Sequence, residues 1–139
     1  MTRLILSFLG RLCPAVLFNA DKKNLFWAGL SGTIGMLVND RILALYPNAA
    51  LIAVFLGAAA VSVYSEVMAR IRKTPATIFS ISGIFPLVPG VDAYRTIQML
   101  TEQNYSDAVA FGVSTAAKAS LIAFGILLVS AVFRRIVKK

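Results

Sequence analysis

Residues 78–100 read IFSISGIFPLVPGVDAYRTIQML. The stretch is long and apolar enough to cross a bilayer, which takes roughly 20 residues. Yet Pro86, Pro89 and Gly90 stand at its middle. A proline inside a helix removes one backbone hydrogen bond and clashes with the carbonyl four residues earlier. The carbonyls so freed belong to Ser82 and Phe85. Hydrocarbon offers them no partner, so such a break persists only where protein or a watery cavity covers it. Transporters build substrate and ion sites from breaks of this kind. Asp92, two residues past the glycine, adds an acid at the same place. A proline-kinked helix packed between neighbours is the plainer reading. Two prolines, a glycine and an acid within seven residues favour a functional break.

Composition sets the solvent. Of 139 residues, 58% are apolar and only 14% charged, too few charges to assemble an ordinary soluble surface. Several apolar runs of about 20 residues imply an all-α integral membrane protein whose partner is the lipid bilayer. At this length one domain, 1–139, is expected. A net charge of +8 could signal nucleic acid. The basic residues are instead grouped between apolar runs, the pattern of cytoplasmic loops, so no nucleic-acid partner is expected. Cys13 is the sole cysteine and histidine is absent. No metal-ligand cluster or His-based triad can be built from that set, so neither an enzyme nor a metal or cofactor is expected.

About five transmembrane helices are expected in chain order. Residues 4–20 are the weakest, interrupted by Arg11 and Pro14. At about 1.5 Å per residue they reach roughly 25 Å, short for a bilayer. A signal peptide is the competing reading, but Phe18-Asn19-Ala20 is a poor cleavage site and the basic leader is only Arg3. Residues 25–46 make the second helix. Its small pairs four apart, Ala28 with Gly32 and Ser31 with Gly35, let another helix approach closely. Asn39-Asp40-Arg41 falls near its end, at the membrane–water boundary, where Asp40 could line an entrance. Residues 49–69 make the third, with Gly57-Ala58-Ala59-Ala60 as a second close-packing face. Glu66 and Arg70, at i and i+4, are expected to pair on that helix as an interfacial anchor. The fourth, broken helix covers 77–100. The fifth covers 107–133, where Gly112, Ala116 and Ser120 line up four apart.

Orientation follows from the loops. Segment 21–24 carries two basic residues, 70–76 three and the C-terminal tail four, whereas 47–48 and 101–106 carry none. Five helices put all the basic segments on one side. By the positive-inside rule that side is the cytoplasm, with the N-terminus outside and the C-terminus inside.

Two charges lie at depth. Lys118 is eleven residues into the fifth helix, about 16 Å from its outer end, and Asp92 is about 12 Å from the outer end of the fourth. They can meet if those helices are neighbours. A mid-membrane lysine is costly and normally faces the bundle interior with a partner. Lys118 is then expected either to bind a substrate carboxylate or to pair with Asp92 until substrate or a proton displaces it. The bland alternatives are a permanent structural pair, or a lysine neutralised against another chain. The half-helix after Gly90 points its first amides at the break, which favours an anion. Freed carbonyls and Asp92 favour a cation or a proton. An amino acid zwitterion needs both sets, and a dicarboxylate needs Asp92 less.

Phe85-Pro86-Leu87-Val88-Pro89-Gly90, followed by Ala93-Tyr94, resembles the Pro-x-x-Pro-Gly-x-x-x-Tyr signature of the threonine/serine exporter family. It is most similar to the small membrane subunit of that family's two-chain form. Leu17-Phe18-Asn19-Ala20, then Trp27-Ala28-Gly29-Leu30-Ser31-Gly32-Thr33-Ile34-Gly35, resembles the first helix end and glycine-rich second helix of those subunits. The resemblance covers nearly the whole chain. It implies export of threonine or serine across the bacterial cytoplasmic membrane, with a larger subunit carrying a cytoplasmic domain and further helices. Proton motive force is the expected drive, since no nucleotide-binding motif is present. The split members resemble exporters of a dicarboxylate such as succinate equally well. A non-transporting assembly subunit is the rival, and a homo-oligomer the alternative partnership. The candidate substrate site is Ser82, Phe85, Pro86, Pro89, Gly90, Asp92, Tyr94 and Lys118, with Asp92 also the candidate for proton coupling. Asp92 and Lys118 match no family motif, so their roles rest on physics alone.

Overall fold

A computed structural model describes residues 22–137, and every regular element among them is helical. The expected 4–20 segment lies outside the described residues, as do Lys138 and Lys139. Helix α1 spans Lys22–Leu45 and α2 spans Ala50–Arg72. Helix α3, Ala76–Ile84, runs into a 3-10 turn, Phe85–Leu87. Helix α4 covers Gly90–Thr101 and α5 covers Tyr105–Val137.

Length and apolarity single out two spans, α2 and the Tyr105–Arg135 part of α5. The pieces on either side of Val88-Pro89 qualify only together, bent by 50°, as a broken span or a re-entrant loop. Among the described residues two or three candidate spans therefore stand where four of the five expected helices fall. Helix α1 has the length, at 24 residues, but not the hydropathy. Its glycines, Ser31, Thr33 and the Asn39-Asp40-Arg41 run dilute the apolar side chains.

Glycine lets α1, α2 and α3 meet without room for a larger side chain. A Cβ at Gly35 would lie 2.5 Å from Val61 Cγ2, and one at Gly57 would lie 3.0 Å from the Gly35 carbonyl. At Gly83 it would lie 2.0 Å from Ser31 Oγ and 2.4 Å from Val61 Cγ1. Such close approach replaces the hydrophobic driving force, which lipid does not supply between helices. Leu87 is buried in this junction with Val54, Ala58, Val61 and Ile122. Ser31 Oγ donates to the Phe79 carbonyl at 2.8 Å, tying α1 to α3. Ala28, Met68 and Phe79 form a second buried cluster.

One expected contact is replaced by another. Arg70 does not pair with Glu66. Its guanidinium lies 5.0 Å over the Phe133 ring and donates to the Phe133 carbonyl at 3.5 Å, so it joins α2 to α5. Of the small stripe on α5, Gly112 meets Thr96 of α4, but Ala116 and Ser120 are exposed. Gly125 makes the close contact with α2, where a Cβ would lie 3.2 Å from the Phe55 carbonyl.

These contacts fix the register that positions the site. Ser62 reaches the Ile126 carbonyl and Arg70 that of Phe133, so α2 and α5 run parallel with an offset of 64 and 63 residues. Arg72 Nε meets Asn24 Oδ1 at 3.0 Å and the Tyr64 hydroxyl meets the Trp27 carbonyl at 3.1 Å, so α1 runs antiparallel to α2. The ends carrying Arg70, Arg72, Arg134 and Arg135 lie together.

Candidate functional site

The backbone leaves the helical path at Val88 and Pro89. Ile84 and Phe85 keep right-handed helical angles, so Pro86 is carried inside the turn that follows α3. Val88, at φ −61 and ψ 128, is extended. The residue before a proline is driven to that region by the ring of the next residue, here Pro89. Pro89 has φ −76 and ψ 56, and the Gly90 amide donates to the Val88 carbonyl at 2.8 Å, which is an inverse γ-turn. The break is thus the work of Pro89 acting through Val88, and Pro86 only tightens the approach.

Several expected ligand groups are already engaged. The Phe85 carbonyl accepts the Val88 amide at 3.4 Å, because the 3-10 turn reuses it. Ser82 is buried towards the bundle and its hydroxyl donates to the Ile78 carbonyl at 3.0 Å. The Gly90 amide is held by the γ-turn, which leaves Val91 and Asp92 as the first amides of α4. Gly90 itself is exposed, and a Cβ there would meet nothing within 4 Å. Phe85 and Tyr94 are exposed and Pro86 and Pro89 half-buried.

Asp92 and Lys118 are brought together. Asp92 stands in the first turn of α4, where a carboxylate is favoured by the helix dipole. α4 folds back on α5 through the turn 102–104, and Asp92 Oδ2 accepts from Lys118 Nζ in an ion pair. The two side chains are 20% and 22% exposed, so the pair is open to a ligand without being fully solvated. Thr96 and Thr115 continue a polar seam outward, each hydroxyl bonded at 2.8 Å to a carbonyl one turn back on its own helix. Arg95 ends the seam with its guanidinium 5.7 Å from the Phe111 ring centroid. Arg95 stands three residues after Asp92, a spacing that sets both on neighbouring turns of one helix.

The pair lies toward the end of the bundle opposite Arg72 and Arg134. With an offset of 64, Lys118 is level with Val54, about four residues or 6 Å below the first residue of α2. Helix α5 begins at Tyr105 and outruns α2, so distance from its own end misstates depth. Leu87, at the start of the break, packs with Val54 and Ile122, which puts the break at about the same level. The break and the ion pair thus form one layer. An apolar groove of about 630 Å³ between the facing ends of α1 and α2, lined by Ile42, Tyr46, Ile52 and Leu56 among others, contains none of these groups.

No group of three or more His, Cys, Asp or Glu among the described residues could hold a metal ion. A family model described as Threonine/Serine exporter, ThrE, matches residues 3–132. No curated protein and no solved structure matches the chain.

Proposed function

The chain belongs to the threonine/serine exporter family, and from that membership we propose that it is the small membrane subunit of a secondary exporter for threonine or serine. The observation that carries the reading is the layer in which the Val88-Pro89 break adjoins the Asp92–Lys118 pair. A zwitterion supplies a carboxylate for Lys118 and an ammonium for Asp92, so it can replace each partner of the ion pair by a group of the same sign. Exchange of one paired state for another avoids leaving a lone charge at depth, which is the costly alternative. Asp92 is the group that takes up a proton when the pair opens, which couples export to the proton motive force.

The chain sits in the bacterial cytoplasmic membrane with its arginine-rich end in the cytoplasm. It works with a larger membrane subunit that bears a cytoplasmic domain and further helices. That partnership is supported by α4, which has no buried residue and packs on α5 alone among its larger contacts. A transporter is the reading, not an enzyme. A dicarboxylate cargo is the second reading, because Arg95 adds a cation on the outer side of Lys118 with Asp92 as the acid between them. Efflux of labelled threonine, serine and succinate from cells with and without the chain separates the two. Threonine or serine efflux that depends on the chain supports the first reading, and succinate efflux alone supports the second.

A further inference from the structure

Asn39 lies on α1 at the height of Val54 and Lys118 by helix register. Its carboxamide oxygen is buried and has no hydrogen-bond partner. Its amide nitrogen turns outward to Asp40 Oδ1 at 3.4 Å, which leaves the oxygen as the inward atom. Gly35, one turn earlier on α1, faces Val61, Leu87 and the Gly83 carbonyl. Position 39 continues that stripe by one turn, past the level at which Gly35 faces Leu87. The antiparallel register with α2 puts it opposite the neighbourhood of Val54, which is also the level of Lys118. The other such orphan atom among the described residues, Thr74 Oγ1, lies at the opposite, basic end.

An unpaired acceptor inside a bundle is costly, and native structures keep few of them without a use. We propose that the Asn39 carboxamide oxygen belongs to the substrate site and accepts a hydrogen bond from the ammonium or hydroxyl of the cargo. This rests on the exporter reading above. It assigns Asn39 the task of separating a hydroxy amino acid from a dicarboxylate, which at neutral pH has no donor to offer. A site built to pair with a donor rejects an analogue lacking it, because its own buried group is then left unpaired. The carboxylate end of either cargo is left to Lys118.

The experiment uses Asn39→Leu, which keeps size and removes the acceptor, and Asn39→Asp, which keeps an acceptor. Exporter purified from membranes is titrated with threonine, serine and succinate while thermal unfolding is followed, and the same ligands compete in vesicle uptake. Unloaded Asn39→Leu should melt no lower than wild type, since an orphan acceptor has been removed. The threonine and serine concentrations needed for half-effect should rise at least about tenfold, with succinate unchanged. Asn39→Asp should keep the wild-type preference. Asn39→Ala, read in the same way, guards against a leucine variant that fails to accumulate. If both apolar variants keep the preference for threonine over succinate, the Asn39 assignment falls and the exporter reading stands. A wild type with no such preference overturns both.

Discussion

At the scale of single residues, Lys118 is expected to be safer absent together with its partner than absent alone. Lys118→Ala leaves the Asp92 carboxylate without a cation, whereas Asp92→Asn with Lys118→Met removes both charges. The single change should be more destabilising by about 1–3 kcal/mol, below the full cost of a lone buried charge because the pair is partly exposed. Thermal unfolding of both variants measures the difference, and strict additivity of the single changes would show that the two groups are energetically independent. Glycines divide in a similar way. Gly83→Ala would press a Cβ to 2.0 Å from Ser31 Oγ and should cost about 1–3 kcal/mol by overpacking. Gly90→Ala meets open space and should leave the melting temperature within error. Sequence could not separate these two glycines. Spacing four apart says that a helix can come close, but not which stripe another helix uses. For that reason Gly125 escaped notice while Ala116 and Ser120 were expected to pack.

At the scale of elements, a helix interruption between 78 and 100 was legible because proline chemistry is local. The residue at which the path breaks was not, since Pro86 and Pro89 read alike until the angles at Val88 are known. Likewise Lys118 and Asp92 were legible as charges in apolar runs, but their depth depends on where α5 sits against α2. That offset is a tertiary contact with no counterpart in the sequence. Changing Pro89→Ala with Gly90→Ala frees Val88 from the constraint of the following ring and restores an amide donor. The variant should insert normally, protect the amides of residues 88–92 from hydrogen exchange, and lose efflux. Normal efflux from a well-expressed double variant would reduce the break to a packing kink.

At the scale of the molecule, the basic ends of α1, α2 and α5 share one side, so a reporter at Lys139 should read cytoplasmic. A cysteine at Gln103 should be labelled from outside, and a periplasmic Lys139 would reverse the orientation. The molecule also leaves much apolar surface on its outer hairpin. Val91, Tyr94 and Ile97 of α4 are 66%, 68% and 63% exposed, close to a polar seam that lipid would not solvate. A second subunit is expected to cover that face. The tagged chain is purified with and without its neighbouring gene product, and each preparation is reconstituted. Transport by the chain alone, at a monomer's mass, would rule out both a hetero-complex and a homo-oligomer.

The parallel offset of α2 and α5 also has an electrical meaning. Lys118 stands sixteen residues above Arg134, about 24 Å by helical rise, in a hydrocarbon layer of roughly 30 Å. With Arg134 at one membrane boundary, most of the membrane voltage would drop between the arginine-rich end and the ion pair. A charge carried over that leg feels about four-fifths of a field worth roughly 2.3 kcal/mol per elementary charge per 100 mV. The remaining leg carries only about one-fifth of it. A proton or a net-charged cargo crossing the longer leg is then the movement that voltage biases most, whereas a zwitterion crosses either leg without net electrical work.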